Sequence, residues 1–373
     1  MEIIRAYKTE LKPNDKQKTL FGRCCGASRY VYNWGVAEWR RQYNTGEKPS
    51  AYGLKKQFNA QKDDICPWIR ALPYTITESV FINLGAAYKH FFRRLKNKEK
   101  EPGRPKFKKR SSPGSFQTKG FRIESNRIRV SGYDRGVEWV RLKEHDYIPT
   151  DASYTTYATI SEKAGRWFVS VLVKEEIDID PPDNDSILVL GVDFGIKTLA
   201  MCSDGTEYEN PKLLRSAQRK LRLLDRELSR RTRGGQNWKK TKLRRQKQHA
   251  RVANIRKHLL HGISSSLVSK NPKMIVIEDL NVRGMMANHK LAQAVSDVSF
   301  YELRRQIEYK SAWHGIEVVV ADRWFPSSKL CSACGCICED LTLSDREYVC
   351  DCGNIIDRDL NAAINLAAYG LKP

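Results

Sequence analysis

The sequence predicts a multidomain α/β protein in which an antiparallel β-rich region with a helical insertion precedes a mixed α/β domain. Three observations support this class. The hydrophobic period changes from strand-like to helical and back along the N-terminal half. Apolar strand-like runs alternate with helical segments in the C-terminal half. A cysteine-rich segment interrupts that half near its end, and 373 residues are enough for two or three domains.

The N-terminal elements follow from their caps and apolar periods. Residues 3–11 read as a strand, which Pro13 ends. Asn14 with Gln17 has the pattern of a capping box that opens a helix, and Thr75 with Glu78 suggests a second helix start. The apolar stripes of these two predicted helices are Leu20, Cys24, Ala27, Val31 and Trp34, and then Val80, Leu84, Ala87, Phe91 and Leu95.

Residues 13–100 are therefore predicted to form a helical domain. From 116 to 176 the hydrophobic period becomes two, which is typical of strands. The runs that read as strands are 121–124, 127–130, 137–140 and 167–173. Together with the first strand they predict a small antiparallel β-barrel, built from residues 1–12 and 101–182, with the helical domain inserted after its first strand.

After the linker at Pro181-Pro182, strands and helices alternate. We predict an α/β domain over 183–328 and 354–373, interrupted by a metal-binding insert at 329–353. A cap at Ser299 with Glu302 is expected to open a helix that buries Phe300, Leu303 and Ile307. The remaining predicted elements are strands 187–192, 198–202, 274–278 and 316–321, a basic helical hairpin over 212–270, and a helix over 360–371.

Three acidic residues lie at the ends of the predicted elements of this domain. Asp193 and Glu278 each close an apolar run, and Asp359 opens the last helix. Each alone reads as a strand end or a capped turn. Together they resemble the pattern of RNase H-like nucleases. Carboxylates beside buried strands are costly unless they are paired or metal-bound, so the three acids indicate a metal site. Three converging carboxylates suit two Mg²⁺ ions and phosphodiester hydrolysis.

Six of the ten cysteines fall between Cys331 and Cys352. Cys331-x-x-Cys334 and Cys350-x-Cys352 predict a structural zinc ribbon, because four thiolates bind Zn²⁺ tetrahedrally. The second pair has one intervening residue instead of two, so Cys336 and Cys338 are alternative ligands, and free buried thiols are the alternative to a metal site. The other cysteines read as small buried apolar residues, namely Cys24, Cys25, Cys66 and Cys202.

The formal charge of +23 predicts a polyanionic partner. Residues 212–257 hold eighteen lysines and arginines against two acids, and Arg244, Arg245 and Lys247 are candidate phosphate contacts. The alternative is a solvated charged helix. The sequence shows no apolar run of membrane-spanning length and no secretory h-region, so a prokaryotic cytoplasm, near the nucleoid, is the expected location.

Several motifs resemble those of the TnpB family, which are transposon-encoded, RNA-guided DNA endonucleases related to type V CRISPR effectors. The resemblance extends over nearly the whole chain, and its C-terminal motifs are the more specific ones. The motifs are Ala-Ser-Arg-Tyr-Val-Tyr-Asn-Trp (27–34), Tyr-Lys-His-Phe-Phe (88–92), Gly-Val-Asp-Phe-Gly-Ile-Lys (191–197), Ile-Glu-Asp-Leu-Asn (277–281), Phe-Pro-Ser-Ser-Lys-Leu-Cys-Ser-Ala-Cys-Gly (325–335) and Asp-Arg-Asp-Leu-Asn-Ala-Ala-Ile-Asn (357–365).

The resemblance implies that the barrel is a wedge domain, the helical insertion a recognition domain, and the α/β domain a RuvC-like nuclease holding the zinc ribbon. It implies a guide RNA from the transposon end and a double-stranded DNA target with a short adjacent motif, near which Tyr52 is expected. Asp359 rather than Asp357 matches the third carboxylate. The alternatives are an RNA-guided repressor that does not cut, a DNA-strand-transfer transposase, and a very small CRISPR effector instead of a transposon protein.

Overall fold

The computed structural model describes residues 1–99, 101–110, 114–130, 138–179, 181–183, 186–289, 291–342 and 345–371. The chain divides into an N-terminal unit, Glu2–Glu176, and a C-terminal unit, Ile177–Pro373 together with Met1. The narrower domain limits given by the sequence remain predictions. Predicted residues that fall outside the described ranges include Val137 of one strand and positions 184–185 of the linker.

The N-terminal unit is built on an antiparallel sheet of eight strands. Its strands are β1 (Glu2–Lys12), β2 (Ser115–Lys119), β3 (Arg122–Glu124), β4 (Arg127–Arg129), β5 (Trp139–Leu142), β6 (Ser153–Tyr154), β7 (Tyr157–Lys163) and β8 (Arg166–Glu176). The order is β2-β7-β8-β1-β5-β4-β3, with β6 beside β8. The end strands β2 and β3 are consecutive in sequence and joined through Gly120, whose φ is +66°. One kinked segment therefore connects both edges, as the predicted barrel requires.

Three helices follow β1: α1 (Asp15–Asn44), α2 (Ala51–Ile65) and α3 (Thr75–Lys96), with a 3₁₀ turn at Pro67–Ala71. The capping box predicted at the start of α1 is confirmed, since the Asn14 side chain accepts from the Gln17 N–H at 2.9 Å and Gln17 reciprocates. The second predicted cap is wrong. The helix begins at Thr75, but Glu78 binds Lys55 and no side chain caps the turn.

The C-terminal unit has a five-stranded sheet in the order β11-β10-β9-β12-β13. Its strands are β9 (Val189–Asp193), β10 (Thr198–Cys202), β11 (Glu207–Glu209), β12 (Met274–Glu278) and β13 (Glu317–Ala321). Strand β12 is parallel to both neighbours, and β10 is antiparallel to β9. A mixed sheet in which the first three strands meander and the last two return in parallel supports the RNase H-like prediction. The short edge strand β11 was not predicted.

Five helices surround this sheet within the described residues: α4 (Leu213–Ser229), α5 (Gln236–Ser269), α6 (Val282–Ala287), α7 (Ala292–Val298) and α8 (Phe300–Trp313). Helices α4 and α5 form the predicted basic hairpin, which breaks at Gly235, the N-cap of α5. Ser299 precedes α8 as predicted but in a left-handed conformation, without a side-chain cap, and Phe300, Leu303 and Ile307 are buried. No helix in the described parts is both long and apolar enough to cross a bilayer.

The C-terminal segment consists of the hairpin β14 (Glu347–Val349) and β15 (Ile355–Asp357) and the helix α9 (Arg358–Gly370). Helix α9 crosses β9 directly over Gly191. A Cβ atom on Gly191 would lie 2.0 Å from the Ala363 carbonyl oxygen and 2.5 Å from the Ala367 backbone nitrogen. Glycine is therefore required there, because any side chain would collide with the backbone of α9.

We predict that Gly191→Ala destabilises the C-terminal unit, because the added methyl group meets backbone atoms that cannot rotate away. Overpacking of this kind costs about 3 kcal/mol, which lowers the Tm by roughly 6–12 °C in a unit of this size. Thermal unfolding followed by circular dichroism measures the change. The matched control is Gly262→Ala in α5, where nothing lies within 4 Å and the helix should gain stability. Equal Tm values for both variants would contradict the packing argument.

Candidate carboxylate and cysteine sites

The three predicted carboxylates reach one edge of the C-terminal sheet. Asp193 ends β9 and Glu278 ends β12, and these strands are parallel neighbours with Ile277 opposite Val192. Their carboxyl ends therefore lie side by side. Asp359 arrives from the first turn of α9, which is anchored over β9 at Gly191. All three side chains are partly buried.

The electrostatics of this group are those of acids held close together. The pKa of Asp193 is raised well above its usual value, first by burial and then by the charges of Glu278 and Asp359. The pKa of Glu278 is also raised by burial, and the Asp359 charge adds to this effect, although a hydrogen bond from Ser327 opposes it. Mutual repulsion in a desolvated site favours binding of a cation.

The three carboxylates are not grouped as tightly as the cysteine sulfurs. Within the described residues, only the four cysteines discussed below form a group of three or more potential ligands whose atoms all lie within 4.8 Å of one another. The carboxylates are more widely spaced than that. This spacing is compatible with the predicted pair of Mg²⁺ ions, which would lie about 4 Å apart.

Asp357 and Asp359 occupy different positions. Asp357 is the N-cap of α9, and its exposed carboxylate accepts from the backbone N–H groups of Asp359 at 2.9 Å and Leu360 at 3.0 Å. Asp359 is partly buried and contributes to the pKa shifts of both other acids. The geometry thus gives Asp357 a structural task and leaves Asp359 as the better candidate for the third ligand.

Two side-chain interactions around Glu278 were not predicted from the sequence. The Ser327 hydroxyl donates a short hydrogen bond to Glu278 Oε1. The neighbouring Asp279 holds two arginines, with Arg304 Nη1 at 3.3 Å from Oδ1 and Arg323 Nη2 close to Oδ2. Ser327 lies within the motif at 325–335, and this motif was the only sequence feature that pointed to a role for Ser327. The arginines gave none, because both contacts are long-range.

The four predicted zinc ligands converge in the segment that precedes α9 and contacts its first turns. The Sγ atoms of Cys331, Cys334, Cys350 and Cys352 all lie within 4.8 Å of one another. Two of the separations are 3.8 Å, for Cys331–Cys352, and 3.6 Å, for Cys334–Cys350. Four sulfurs at 2.3 Å from a tetrahedral Zn²⁺ are about 3.8 Å apart. The alternatives Cys336 and Cys338 are not in this group.

The thiols differ in how readily they ionise. Burial opposes ionisation of Cys331, but hydrogen bonds from the backbone of Cys334 and Ala333 and from the Asn354 side chain outweigh it and lower its pKa to about 6. Cys352 accepts from the backbone of Asn354, yet its pKa is raised to about 12, because thiolate neighbours discourage a further negative charge. A cation that compensates all four charges fits this arrangement.

Two buried asparagines of α9 connect the cysteine segment to the carboxylates. Asn361 donates to the Leu330 carbonyl at 2.7 Å and accepts from the Ser332 N–H at 3.0 Å. Asn365 donates to the Ser327 carbonyl at 2.8 Å. The same helix that presents Asp359 therefore holds the chain on either side of Cys331, and Ser327, which it also holds, contacts Glu278.

The candidate nucleic-acid contacts are placed on helices. Tyr52 begins α2 in the N-terminal unit and is 79% exposed. Arg244, Arg245 and Lys247 lie on α5, where Arg244 binds Glu227 at 3.0 Å and Arg245 binds Asp225. These acids are the only two in the segment 212–257. Lys247 is exposed. The structure leaves the role of all four residues a prediction.

Models of three protein families match different parts of the chain. Residues 168–289 match "Probable transposase", residues 300–366 match "Cas12f1-like, TNB domain", and residues 1–48 match "Helix-turn-helix domain". The second of these contains α8, the cysteine group and most of α9. In the structure, residues 1–48 form β1 and α1.

Solved structures share the fold at low sequence identity. A Cas12f1–sgRNA–target DNA complex has a TM-score of 0.60 at 13% identity, covering 98% of this chain and 99% of that one. A mini-RNA-guided endonuclease, CRISPR-Cas_phi3, has a TM-score of 0.51 at 10% identity and covers 100% of this chain and 93% of its own. Such likeness supports a RuvC-containing α/β fold with a zinc-ribbon-like segment.

Related sequences are more similar. A Streptomyces pristinaespiralis protein named "Putative RNA-guided DNA endonuclease" is 33% identical over 99% of this chain and 90% of its own length. InsQ of Escherichia coli K12, of the same description, is 31% identical over 99% of this chain and 93% of its own. A TnpB-like protein of Acanthamoeba polyphaga mimivirus is 38% identical over 36% of this chain and 27% of its own. From these full-length matches and the shared motifs, the chain belongs to the TnpB family.

Proposed function

We propose that this protein is an RNA-guided DNA endonuclease that hydrolyses phosphodiester bonds of its target. The observation that carries the proposal is the convergence of Asp193, Glu278 and Asp359 at one sheet edge, with pKa shifts that favour a bound cation. Family membership supports the RNA-guided mode, because the full-length relatives carry that description. The partners are then a guide RNA from the transposon end and a double-stranded DNA target, in the prokaryotic cytoplasm.

The carboxylates and Ser327 have separate roles in the proposed reaction. Asp193, Glu278 and Asp359 would hold two Mg²⁺, whose chemistry is to stabilise the attacking and leaving oxygens of an in-line displacement. Ser327 fixes the orientation of Glu278 by its hydrogen bond. Guide pairing reads the target sequence, while protein groups read charge, shape and a short adjacent motif. One such site acts on both strands in turn and leaves 5′-phosphate and 3′-hydroxyl ends.

The cysteine group has a structural role in this proposal. Four thiolates fill the coordination of one Zn²⁺ and leave no open position for chemistry. The closed site would hold the segment from Cys331 to Cys352, which packs against α9 through Asn361. The basic hairpin of α4 and α5 would contact nucleic-acid phosphates, with Lys247 the most accessible of the predicted residues.

The decisive experiment begins with the RNA that co-purifies with the protein. Sequencing it defines the guide, and the loaded protein is then incubated with matching duplex DNA and Mg²⁺. Free cut ends on both strands are expected. Protected but uncut DNA would favour the RNA-guided repressor, although all three acids are present. Joined products would favour the strand-transfer transposase.

We predict that Asp193→Asn lowers the cleavage rate by about two to four orders of magnitude, since a metal ligand supplies several kcal/mol to the transition state. The amount of co-purifying RNA should not change. Asp357→Asn is the control, because the asparagine side chain can still accept the backbone N–H groups that cap α9, so both stability and cleavage should stay largely intact. If Asp357→Asn abolished cleavage while Asp359→Asn did not, the third ligand would be reassigned.

The same Asp193→Asn variant should be more stable than the parent in EDTA. A carboxyl group whose pKa is raised by folding binds more protons in the folded state than in the unfolded state. The metal-free parent therefore loses stability as the pH rises above about 4, the pKa of an aspartate in the unfolded chain. The amide lacks this penalty. The Tm of the variant should exceed that of the parent at pH 7, by about 2–4 °C for each kcal/mol recovered, and the difference should shrink toward pH 4. A lower Tm at pH 7 would contradict the assigned repulsion.

We predict that Cys331→Ser lowers bound zinc from about one ion per chain to nearly none and destabilises the protein, because a serine hydroxyl does not replace a thiolate ligand. Elemental analysis of the purified protein measures zinc, and thermal unfolding measures stability. The matched control is Cys336→Ser, which lies five residues away outside the sulfur group and should keep its zinc. Loss of zinc in the control alone would move the ligand role to Cys336.

Replacing Arg244, Arg245 and Lys247 together by glutamine should flatten the salt dependence of nucleic-acid binding. Each phosphate that the protein no longer neutralises lowers the slope of log K against log salt by about 0.9 on duplex DNA and 0.7 on single strands. Filter binding at several salt concentrations gives this slope. Because Arg244 is paired with Glu227 and Arg245 with Asp225, Lys247→Gln alone should account for one whole phosphate. An unaltered slope in the triple variant would make this hairpin a solvated surface.

A further inference from the structure

Two clefts adjoin Glu278 and share part of their walls. One has a volume of about 260 Å³ and contains Trp324, and the other has a volume of about 400 Å³ and contains Tyr301. The segment 278–281 and Arg323 line both clefts. Glu278, a candidate metal ligand, thus lies where the two clefts meet. If each cleft holds one nucleotide, the phosphate that joins the two nucleotides lies beside this carboxylate.

Each cleft presents an aromatic side chain to solvent. Trp324 is 85% exposed and Tyr301 is 74% exposed, while the adjacent Phe300 and Phe194 are buried and their ring centroids lie 6.4 Å apart. An exposed tryptophan leaves a large apolar surface in water, which is unfavourable unless a partner covers it. Nucleobases are such partners, since stacking on aromatic side chains is the common mode of single-strand binding.

The backbone that carries Trp324 is firmly held. The Trp324 N–H donates to Asp322 Oδ1 at 2.8 Å, and the Phe325 N–H donates to the Asp322 carbonyl at 3.0 Å. The Phe325 ring packs against Tyr369 of α9, with centroids 4.9 Å apart. Two residues further on, Ser327 binds Glu278. The backbone at Trp324 is therefore fixed relative to the candidate catalytic carboxylate, which limits the positions that the exposed ring can take.

Two of the three arginines that line the clefts pair with Asp279. Arg304 and Arg323 are 36% and 47% exposed at their side chains, and both pair with this one carboxylate, while Arg304 also pairs with Glu308 at 2.8 Å. Exposed ion pairs of this kind contribute little stability. A phosphodiester offers the same two-oxygen geometry to a guanidinium as a carboxylate does, so a bound strand can take over these arginines.

Resting on the function proposed above, we propose that the two clefts bind unpaired nucleobases on either side of the phosphate to be cut, one stacking on Trp324 and one on Tyr301. Arg304 and Arg323 contact the strand's phosphates when they leave Asp279. The ligand class is single-stranded nucleic acid, because a base inside a duplex has no free face to stack. Aromatic and arginine side chains also occur in protein interfaces, but their position beside Glu278 favours the DNA strand.

The test measures stacking rather than cleavage. The protein with its co-purified RNA, carrying Asp193→Asn so that the strand stays intact, is titrated in Mg²⁺ with an oligothymidine containing one central 2-aminopurine. Moderate salt suppresses phosphate-only binding elsewhere. Stacking should quench the fluorescence. Trp324→Ala and Tyr301→Ala should each weaken this binding by about 5- to 100-fold, while Trp324→Phe should retain most of it.

Tyr74→Ala is the matched control, because Tyr74 is 72% exposed but lies in the N-terminal unit. It should bind as the parent does. Asp279→Asn should bind the strand more tightly, since it releases Arg323 and leaves Arg304 paired with Glu308 alone. Affinities of Trp324→Ala and Tyr301→Ala within twofold of the parent would overturn the proposal, and so would weaker binding by Asp279→Asn.

Cleavage of guide-matched duplex by the protein with Asp193 intact separates the two proposals. If it cuts, and Trp324→Ala and Tyr301→Ala cut with unchanged KM and unchanged quenching, the stacking sites are wrong and the nuclease stands. If it does not cut but quenching still depends on Trp324, the clefts bind single strands and the nuclease assignment is wrong. Crosslinking of a bound protein at Trp324, with no quenching by the oligonucleotide, would instead assign the clefts to a protein partner.

Discussion

The direct contact of helix α9 with the backbone of β9 at Gly191 is the constraint on which the C-terminal unit depends. No side chain separates the two elements at that point, because a single methyl group would overlap the Ala363 carbonyl oxygen. The contact fixes the height and rotation of the helix over the sheet. Asp359, in the first turn, is thereby placed near Asp193 and Glu278, which the parallel strands β9 and β12 bring to the same edge.

The cysteine group and the carboxylates are connected through this helix. Asn361 and Asn365 satisfy backbone groups of the segment that leads from Ser327 to Ser332, and Ser327 contacts Glu278. Buried amide side chains that bond backbone groups are specific in geometry and costly to break. A bound zinc ion would therefore act on the carboxylates by keeping one end of this segment in place, without taking part in the chemistry.

The sequence predicts what depends on local pattern and fails where long-range contacts decide. The alternating and helical periods predicted the two types of unit and the basic hairpin, and the pair Asn14 and Gln17 predicted the capping box. The cap at Thr75 failed because Glu78 is bound by Lys55, Lys119 and Tyr157 from other elements. Leu95 fits the stripe of its helix yet is 51% exposed, since that last turn extends beyond the core.

The same distinction applies to the site. Acids after apolar runs and paired cysteines are visible in sequence because residue type and spacing carry the chemistry. The distances between these groups in the folded protein are not visible in the sequence. The preference for Asp359 over Asp357 rests on the helix cap that Asp357 forms. The exposure of Trp324 and Tyr301 had no sequence signal, because an aromatic residue reads as core unless the surrounding fold leaves it uncovered.

Charge separation around Glu278 completes the argument for a cation site. In a chain of net charge +23, arginines beside an acidic group are expected to pair with it and lower its pKa. Arg304 and Arg323 are near enough to line a cleft with Glu278, yet both bind Asp279, and the pKa of Glu278 is raised. Asp279 thus diverts the guanidinium groups from Glu278. The carboxylate oxygens of Glu278 therefore stay available to a metal ion, while the two arginines remain within reach of a phosphate.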